Sequence, residues 1–180
     1  MKGFERKNRL LSLCGLNCGL CPMRLGGHCG GCGHGNQSCR IARCSLMQGK
    51  IEYCYECAQY PCGRYQDIAD DDFFITHRNQ KADLGKAQRI GIDAYNREQE
   101  EKVRILEFLL SACNDGRRKS FFCIALNLLE LSDIREAVRQ MEGENGFSSW
   151  TVKERCAYIV SAFQEIAAKH HIILKLHKKK

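Results

Sequence analysis

The stretch from residue 14 to residue 62 reads CGLNCGLCPMRLGGHCGGCGHGNQSCRIARCSLMQGKIEYCYECAQYPC and holds ten of the chain's thirteen cysteines. It contains three C-x2-C pairs, a spacing at which two thiolates on one tight turn can bind the same metal ion. The stretch is therefore predicted to form a metal-binding module. The candidate ligands are Cys14, Cys18, Cys21, Cys29, Cys32, Cys39, Cys44, Cys54, Cys57 and Cys62.

The composition favours metal ligation over disulfide bonds for these cysteines. The opening residues MKGFERKNRL lack the apolar run of a secretory signal, and no stretch approaches the ~20 apolar residues of a membrane span. A cytoplasmic, reducing location is therefore expected, and clustered cysteines there bind metal more often than they pair. Because residues 1–62 hold ten of the sixteen glycines and few large apolar residues, metal ions are expected to replace a hydrophobic core.

Zinc is the preferred ion, because ten cysteines can build two closed sites of four thiolates each. The most local set of four is Cys29, Cys32, Cys39 and Cys44. The second site would combine a triplet with cysteines from the end of the stretch, namely Cys14, Cys18 and Cys21 with Cys54, Cys57 and Cys62. His28 and His34 flank the central pair and could substitute as ligands.

The alternative cofactor is a [4Fe–4S] cluster, used for electron transfer or redox sensing. The C-x3-C-x2-C spacing of Cys14, Cys18 and Cys21 suits three ligands of such a cluster, with a fourth cysteine from residues 54–62. The pattern by itself leaves zinc and iron–sulfur open.

The charge of the chain is concentrated at its beginning. Residues 1–50 carry eight Lys or Arg and one acidic residue, which accounts for the whole formal charge of +7. Two zinc ions with eight thiolates would reduce it to about +3. An adaptor or regulatory role with an unknown protein or nucleic-acid partner fits this charge. The sequence lacks phosphate-loop, nucleophile-elbow and His-Glu-x-x-His motifs, so the question of catalysis stays open and leans towards a non-enzyme.

The expected fold is mainly α, with an irregular cysteine-rich module (residues 1–65) packed on a helical part (residues 66–180) as one compact unit. Apolar residues recur at helical spacing from Asp93 to Cys113, and again after the capping-box pattern of Thr151 and Glu154. The tail HHIILKL alternates briefly and is interpreted as a short strand.

A basic turn precedes another apolar helix, in which Cys123 is expected to be a small buried residue. Ser120 is predicted to be the N-cap of this helix. Three cations before a helix start oppose the helix dipole, and a bound anion would offset them. The candidate anion site is Arg117, Arg118, Lys119 and Ser120, and the competing interpretation is a solvated basic loop or internal ion pairs to Asp115.

Four pieces together resemble one family. They are CGLNCGLCP at 14–22, the cysteine block of 29–62, NDGRRKSFFCIALNLLEL at 114–131 and the closing helix of 151–176. They look like a domain-of-unknown-function family of small cysteine-rich bacterial and archaeal proteins, described as zinc- or iron–sulfur-binding, over about residues 12–176. The resemblance implies a metal-binding cysteine module joined to helices, with the ten cysteines named above as candidate ligands and no defined reaction.

Overall fold

The computed structural model describes residues 2–34, 38–66 and 68–177, and this part of the chain is mainly helical, as predicted. It contains seven α-helices and no strand. In chain order the helices are α1 (Pro22–Leu25), α2 (Arg40–Met47), α3 (Gln80–Ile90), α4 (Ile92–Ala112), α5 (Lys119–Leu128), α6 (Leu131–Gly143) and α7 (Val152–Lys169). No helix in these ranges is both long enough and apolar enough to span a bilayer.

The chain divides into two compact units. The first comprises the described residues of 1–100 and 176–180, and the second comprises residues 101–175. The division therefore falls within α4, well after the change in composition near residue 65. The reason lies in the core of the first unit, to which α3 and the start of α4 contribute apolar side chains.

The first unit has an apolar core, built from both the cysteine-rich stretch and the helices that follow it. Leu84, Ala87 and Tyr95, which come from α3 and α4, are fully buried in it. The other buried members of this core are Phe4, Leu11, Leu13, Ala42, Tyr53, Cys54 and Tyr65. Metal ions would thus supplement this core, whereas the sequence suggested that they replace one.

The second unit contains most of the helical signals that were read from the sequence. The capping box at the start of α7 is confirmed, since Thr151 Oγ1 accepts from the Glu154 amide at 3.3 Å and the Glu154 carboxylate accepts from the Thr151 amide at 2.7 Å. Cys123 is 2% exposed within α5, as predicted. The prediction for Ser120 is wrong: α5 begins at Lys119, and Arg118 occupies the N-cap position without a side-chain cap.

The end of the chain also differs from the sequence prediction. The tail after α7 is irregular up to His177, and the strand predicted there does not form. A strand needs a partner, and no β-ladder is present in the described ranges. Asp72 instead holds the end of this tail within the first unit: its carboxylate accepts from the His177 amide at 2.9 Å, and its own amide donates to the His177 carbonyl at 2.9 Å.

Candidate metal centre

Four of the predicted ligands line one small cavity in the first unit. Cys44 comes from α2, Cys54 and Cys57 come from the two ends of a 3₁₀ turn, and Cys62 follows the cis Tyr60–Pro61 bond. We call this cavity the thiol pocket; its volume is about 20 Å³, which is room for little more than a single water molecule or ion. Its remaining walls are Ile41, Ser45, Ile51, Tyr60, Arg64 and Tyr65.

Backbone hydrogen bonds fold the segment of residues 54–65, which carries three of the four cysteines of the thiol pocket. The amide of Cys57 donates to the carbonyl of Cys54 at 3.1 Å, which closes the C-x2-C turn. The amide of Tyr60 then donates to the carbonyl of Cys57 at 3.0 Å, and the amide of Tyr65 to that of Cys62 at 2.9 Å. These consecutive turns bring Cys54, Cys57 and Cys62, which together span nine residues of sequence, to the wall of one cavity.

A second group of thiols surrounds Cys14. Cys14, Cys18 and Cys32 are close enough that the charge of each would act on the other two. Cys39 is a similar neighbour of Cys14, and Cys21 of Cys18. We call these five residues the Cys14 group; Cys54, which lines the thiol pocket, is a neighbour of Cys14 in the same sense. Cys29 is exposed, and its sulfur accepts a hydrogen bond from the Gly31 amide at 3.4 Å.

This partition differs from the one suggested by sequence distance. Cys39 and Cys44 were expected at the same site as Cys29 and Cys32, but Cys39 belongs to the Cys14 group and Cys44 to the thiol pocket. The reason is helical geometry: Cys39 is the N-cap of α2 and Cys44 lies five positions later. Five positions correspond to about 140° around a helix axis, so the two sulfurs face different neighbours.

Hydrogen-bond donors surround several of these sulfurs. The Gln80 amide nitrogen donates to the Cys14 sulfur at 3.2 Å, and the Ser12 hydroxyl lies 3.3 Å from it. The Ala42 amide donates to the Cys39 sulfur at 3.5 Å. A neutral thiol is a weak acceptor, whereas a thiolate is a strong one. Donors placed in this way therefore favour sulfur in its charged or metal-bound form.

Burial acts in the opposite direction on the same thiols. It raises the pKa of Cys18 to about 11 and the pKa of Cys32 and of Cys54 to about 12, and it also raises the pKa of Cys14. Without a cation these thiols therefore remain protonated at neutral pH. A divalent metal that replaces the protons removes this cost, because it supplies the positive charge that the buried thiolates lack.

The Cys14 group and the thiol pocket are joined by direct contacts. The Cys54 amide donates to the Leu13 carbonyl at 3.0 Å. The hydroxyl of Tyr65 donates to the Cys14 carbonyl at 3.3 Å and also lies beside the Cys54 sulfur. Arg6, whose side chain is 1% exposed, donates to the carbonyls of Leu11 and Glu52 on the two sides of this junction.

Cys14 lies on a loop that is fastened to α3 and α4. Asn17, which is buried, accepts from the Tyr95 hydroxyl at 2.9 Å and donates to the Asp83 carboxylate at 2.9 Å. Gly15 has φ +95°, and its Cα faces the carbonyl of Gln80 so closely that a Cβ would lie 2.3 Å from that oxygen. Sequence spacing showed the cysteines of this loop but not these buried polar anchors, which depend on partners 66 and 78 residues away.

All thirteen cysteines lie in the described ranges, and none of them forms a disulfide bond. Within the same ranges, no three Cys, His, Asp or Glu side chains already stand in the geometry of a metal site. The four cysteines that line the thiol pocket are nevertheless a thiophilic donor set. Their side chains would have to rotate inward before all four sulfurs could reach one ion.

The two histidines and the basic turn are placed elsewhere. His28 and His34 are exposed, and His34 Nε2 lies 3.1 Å from the Arg6 carbonyl oxygen. In the second unit, Arg118 pairs with Asp115 at 3.6 Å, and the side chain of Asn114 accepts from the amides of Gly116 and Arg118. The turn is therefore stabilised by its own residues, and one of its three cations, Arg118, has an internal partner. The anion site at Arg117, Arg118, Lys119 and Ser120 stays a prediction.

The remaining three cysteines, Cys113, Cys123 and Cys156, are buried in the second unit. Cys113 and Cys156 are neighbours, and burial raises the pKa of the Cys113 thiol to about 11. They lie in an apolar environment of helices, so their position is that of small core residues.

No family model matches this chain, and no curated protein and no solved structure matches it either. The resemblance to the cysteine-rich family therefore stays a prediction.

Proposed function

We propose that this chain is a zinc-binding protein in which two ions hold the cysteine-rich part of the first unit. The observation that carries the proposal is the convergence of Cys44, Cys54, Cys57 and Cys62 on the thiol pocket. A tetrathiolate set from three chain segments is the donor set of a closed structural zinc site, which cross-links loops that lack regular secondary structure. The four cysteine side chains would rotate to bind the ion, while the backbone that carries them keeps its fold.

The second ion is assigned to the Cys14 group. Cys14, Cys18 and Cys32 would supply three thiolates, and Cys21 or Cys39 the fourth. The donors on Cys14 from Ser12 and Gln80 support this assignment, because ligand sulfurs of metal sites are commonly oriented by such outer contacts.

A [4Fe–4S] cluster is the second candidate for the Cys14 group. Cys14, Cys18 and Cys21 lie in this group, and hydrogen bonds to ligand sulfurs are a means by which proteins tune cluster potentials. In that case the chain would transfer electrons or sense redox conditions.

Closed sites leave activity to the surface, so the proposed biological role is that of an adaptor or regulator. A cytoplasmic, reducing location is part of the proposal, because it would keep the thiols free for metal. The proposal agrees with the metal-binding module that the family resemblance implies.

Metal analysis of the full chain, purified without oxygen, tests the proposal. We expect two zinc per chain and no visible colour. The variant Cys57→Ser/Cys62→Ser should lose one zinc, because an open two-thiolate site binds zinc far more weakly. The matched control Cys113→Ala/Cys156→Ala removes two cysteines of the second unit and should retain both ions.

Two other results are informative. Iron with sulfide and a brown colour that disappears in Cys14→Ser would establish the cluster candidate for the Cys14 group. A chain that takes up no metal from zinc-containing medium, or a Cys57→Ser/Cys62→Ser variant with unchanged zinc, would refute the tetrathiolate site.

A further inference from the structure

An open pocket lined by two arginines adjoins the thiol pocket. Its lining residues are Arg40, Ile41, Gly63 and Arg64, and its volume is about 430 Å³. We call it the arginine pocket. It shares Ile41 and Arg64 with the walls of the thiol pocket, so the two lie side by side in the first unit. The size is that of a site for a small molecule or for one residue of a polymer.

The two arginines of this pocket have no acidic partner among the residues that the structure describes. Arg40 and Arg64 are exposed and form no ion pair within the described ranges. Other arginines are used internally: Arg6 pairs with Glu52, and Arg118 with Asp115. The first turn of α2 contains no acidic residue.

Two further features extend this surface. Arg43 is exposed one turn along α2 from Arg40, and residues three apart on a helix are neighbours. Tyr60 is partly exposed, lines the thiol pocket together with Arg64, and makes an edge contact with Tyr65 at 5.0 Å between ring centroids. A Cβ added at the lining residue Gly63 would meet no heavy atom within 4 Å, so the backbone there is accessible.

We propose that the arginine pocket binds the phosphate backbone of a single-stranded nucleic acid. The planar guanidinium group binds phosphate through two parallel hydrogen bonds, which a lysine cannot do. Repeated positive charges beside an aromatic ring are the composition of surfaces that follow a single strand, with the ring available for base stacking. Base stacking on the ring is the contact that distinguishes this occupant from an acidic protein segment, whose binding is an outcome of the test below.

The same arginines could instead balance the charge of the proposed zinc site. One zinc ion with four thiolates carries a net charge of −2, and nearby arginines could serve only to balance it. Arginines with that role would affect zinc retention and leave nucleic-acid binding unchanged. The inference goes beyond the proposed function and does not depend on which metal is bound. Measuring metal content in every sample keeps the failure of one proposal distinct from the failure of the other.

The test is fluorescence anisotropy with a labelled twelve-residue single strand, using the full chain as purified, over a range of salt concentrations. The variant Arg40→Ala/Arg64→Ala should bind at least tenfold more weakly. Its slope of log affinity against log salt should be shallower by about 1.4, since each phosphate contact to a single strand contributes about 0.7. The charge-matched control Arg89→Ala/Arg97→Ala removes two exposed helical arginines of the same unit and should bind as the wild type does.

A second variant separates charge from geometry. Arg40→Lys/Arg64→Lys keeps both charges and removes the forked donors, so its salt slope should stay near that of the wild type while its affinity falls. Competition with inorganic phosphate and with a mononucleotide distinguishes a site for a polymer from a site for free phosphate. At concentrations near the oligonucleotide's dissociation constant, neither competitor should displace an oligonucleotide that is bound through several phosphates.

Three results would overturn the inference. They are oligonucleotide affinity unchanged in Arg40→Ala/Arg64→Ala, an equal loss in the Arg89→Ala/Arg97→Ala control, and arginine-dependent binding of an acidic peptide without binding of the oligonucleotide. Loss of zinc in Arg40→Ala/Arg64→Ala at unchanged oligonucleotide affinity would assign the arginines to charge balance instead.

Discussion

Replacing Gly15 with alanine tests whether the Cys14 loop is fastened to α3 as the structure describes. Gly15 has φ +95°, a conformation that residues with a Cβ rarely adopt. An added Cβ would lie 2.3 Å from the carbonyl oxygen of Gln80 and 2.9 Å from Cγ of Leu84. The first of these atoms belongs to the backbone, so rotation of a side chain cannot relieve the contact.

The expected cost has two parts. The left-handed conformation costs an L-residue roughly 1–2 kcal/mol. Displacing the loop or α3 to relieve overpacking adds roughly 1–3 kcal/mol. The variant Gly15→Ala should therefore lose about 2–5 kcal/mol, which is a large share of the roughly 5–15 kcal/mol that stabilises a typical domain.

Gly85→Ala is the matched control, because it makes the same chemical change five residues after Gln80. Gly85 lies within α3, and a Cβ there would meet no heavy atom within 4 Å. This variant should gain about 0.5–1 kcal/mol, because alanine is the better helix former. The two substitutions are thus expected to have opposite signs within one structural unit.

Urea denaturation followed by far-ultraviolet circular dichroism measures both effects, and hydrogen exchange of the amides of residues 11–20 shows whether the loss is local to the loop. If zinc occupies the Cys14 group as proposed, Gly15→Ala should also lower the zinc content from about two ions to about one. Stability of Gly15→Ala equal to that of the wild type, or above that of Gly85→Ala, would show that the loop does not pack on α3 in this way.

Three further predictions address other parts of the chain. The side chain of Asp72 is fully shielded and accepts hydrogen bonds from backbone amides, so Asp72→Ala should lower the free energy of unfolding by about 3 kcal/mol. Asp70 is an exposed neighbour, and Asp70→Ala should change thermal stability little. Thr151→Ala should cost about 1 kcal/mol at pH 7 by removing the N-cap. Hydrogen bonds from the Thr151 amide and hydroxyl lower the pKa of Glu154. The stability that this carboxylate contributes is present above its unfolded pKa and is lost as pH falls through its folded pKa. Thr151→Ala removes the hydroxyl bond and keeps the amide bond, so the thermal melts of wild type and variant should differ less at pH 3 than at pH 7. Chelation of the proposed zinc should increase hydrogen exchange in residues 14–62 and leave most of the helical circular dichroism, and an unchanged exchange pattern would contradict the proposed role of the metal.

Local sequence patterns were sufficient for α4 and α7. The apolar repeat after Asp93 predicted α4, and Thr151 with Glu154 marked the start of α7, because helix periodicity and capping depend on residues within a few positions of one another. The N-cap predicted at Ser120 was wrong although its determinants are also local. Asn114 and Asp115 stabilise the turn before α5 by accepting from backbone amides, and the N-cap is Arg118, two residues before Ser120.

The sequence by itself also identified the cysteine-rich stretch and its candidate ligands, but only the tertiary structure decided how these cysteines are grouped. Cys44 lines the same cavity as Cys54 because α2 directs it away from Cys39. The path of the intervening residues 48–53 cannot be predicted from the spacing of the cysteines. The core that surrounds these thiols is likewise non-local, since Tyr95 and Leu84 come from helices beyond the cysteines. The spacing of cysteines along the chain identifies candidate metal ligands. Their grouping depends on packing between residues that are far apart in sequence, and a short motif carries no information about that packing.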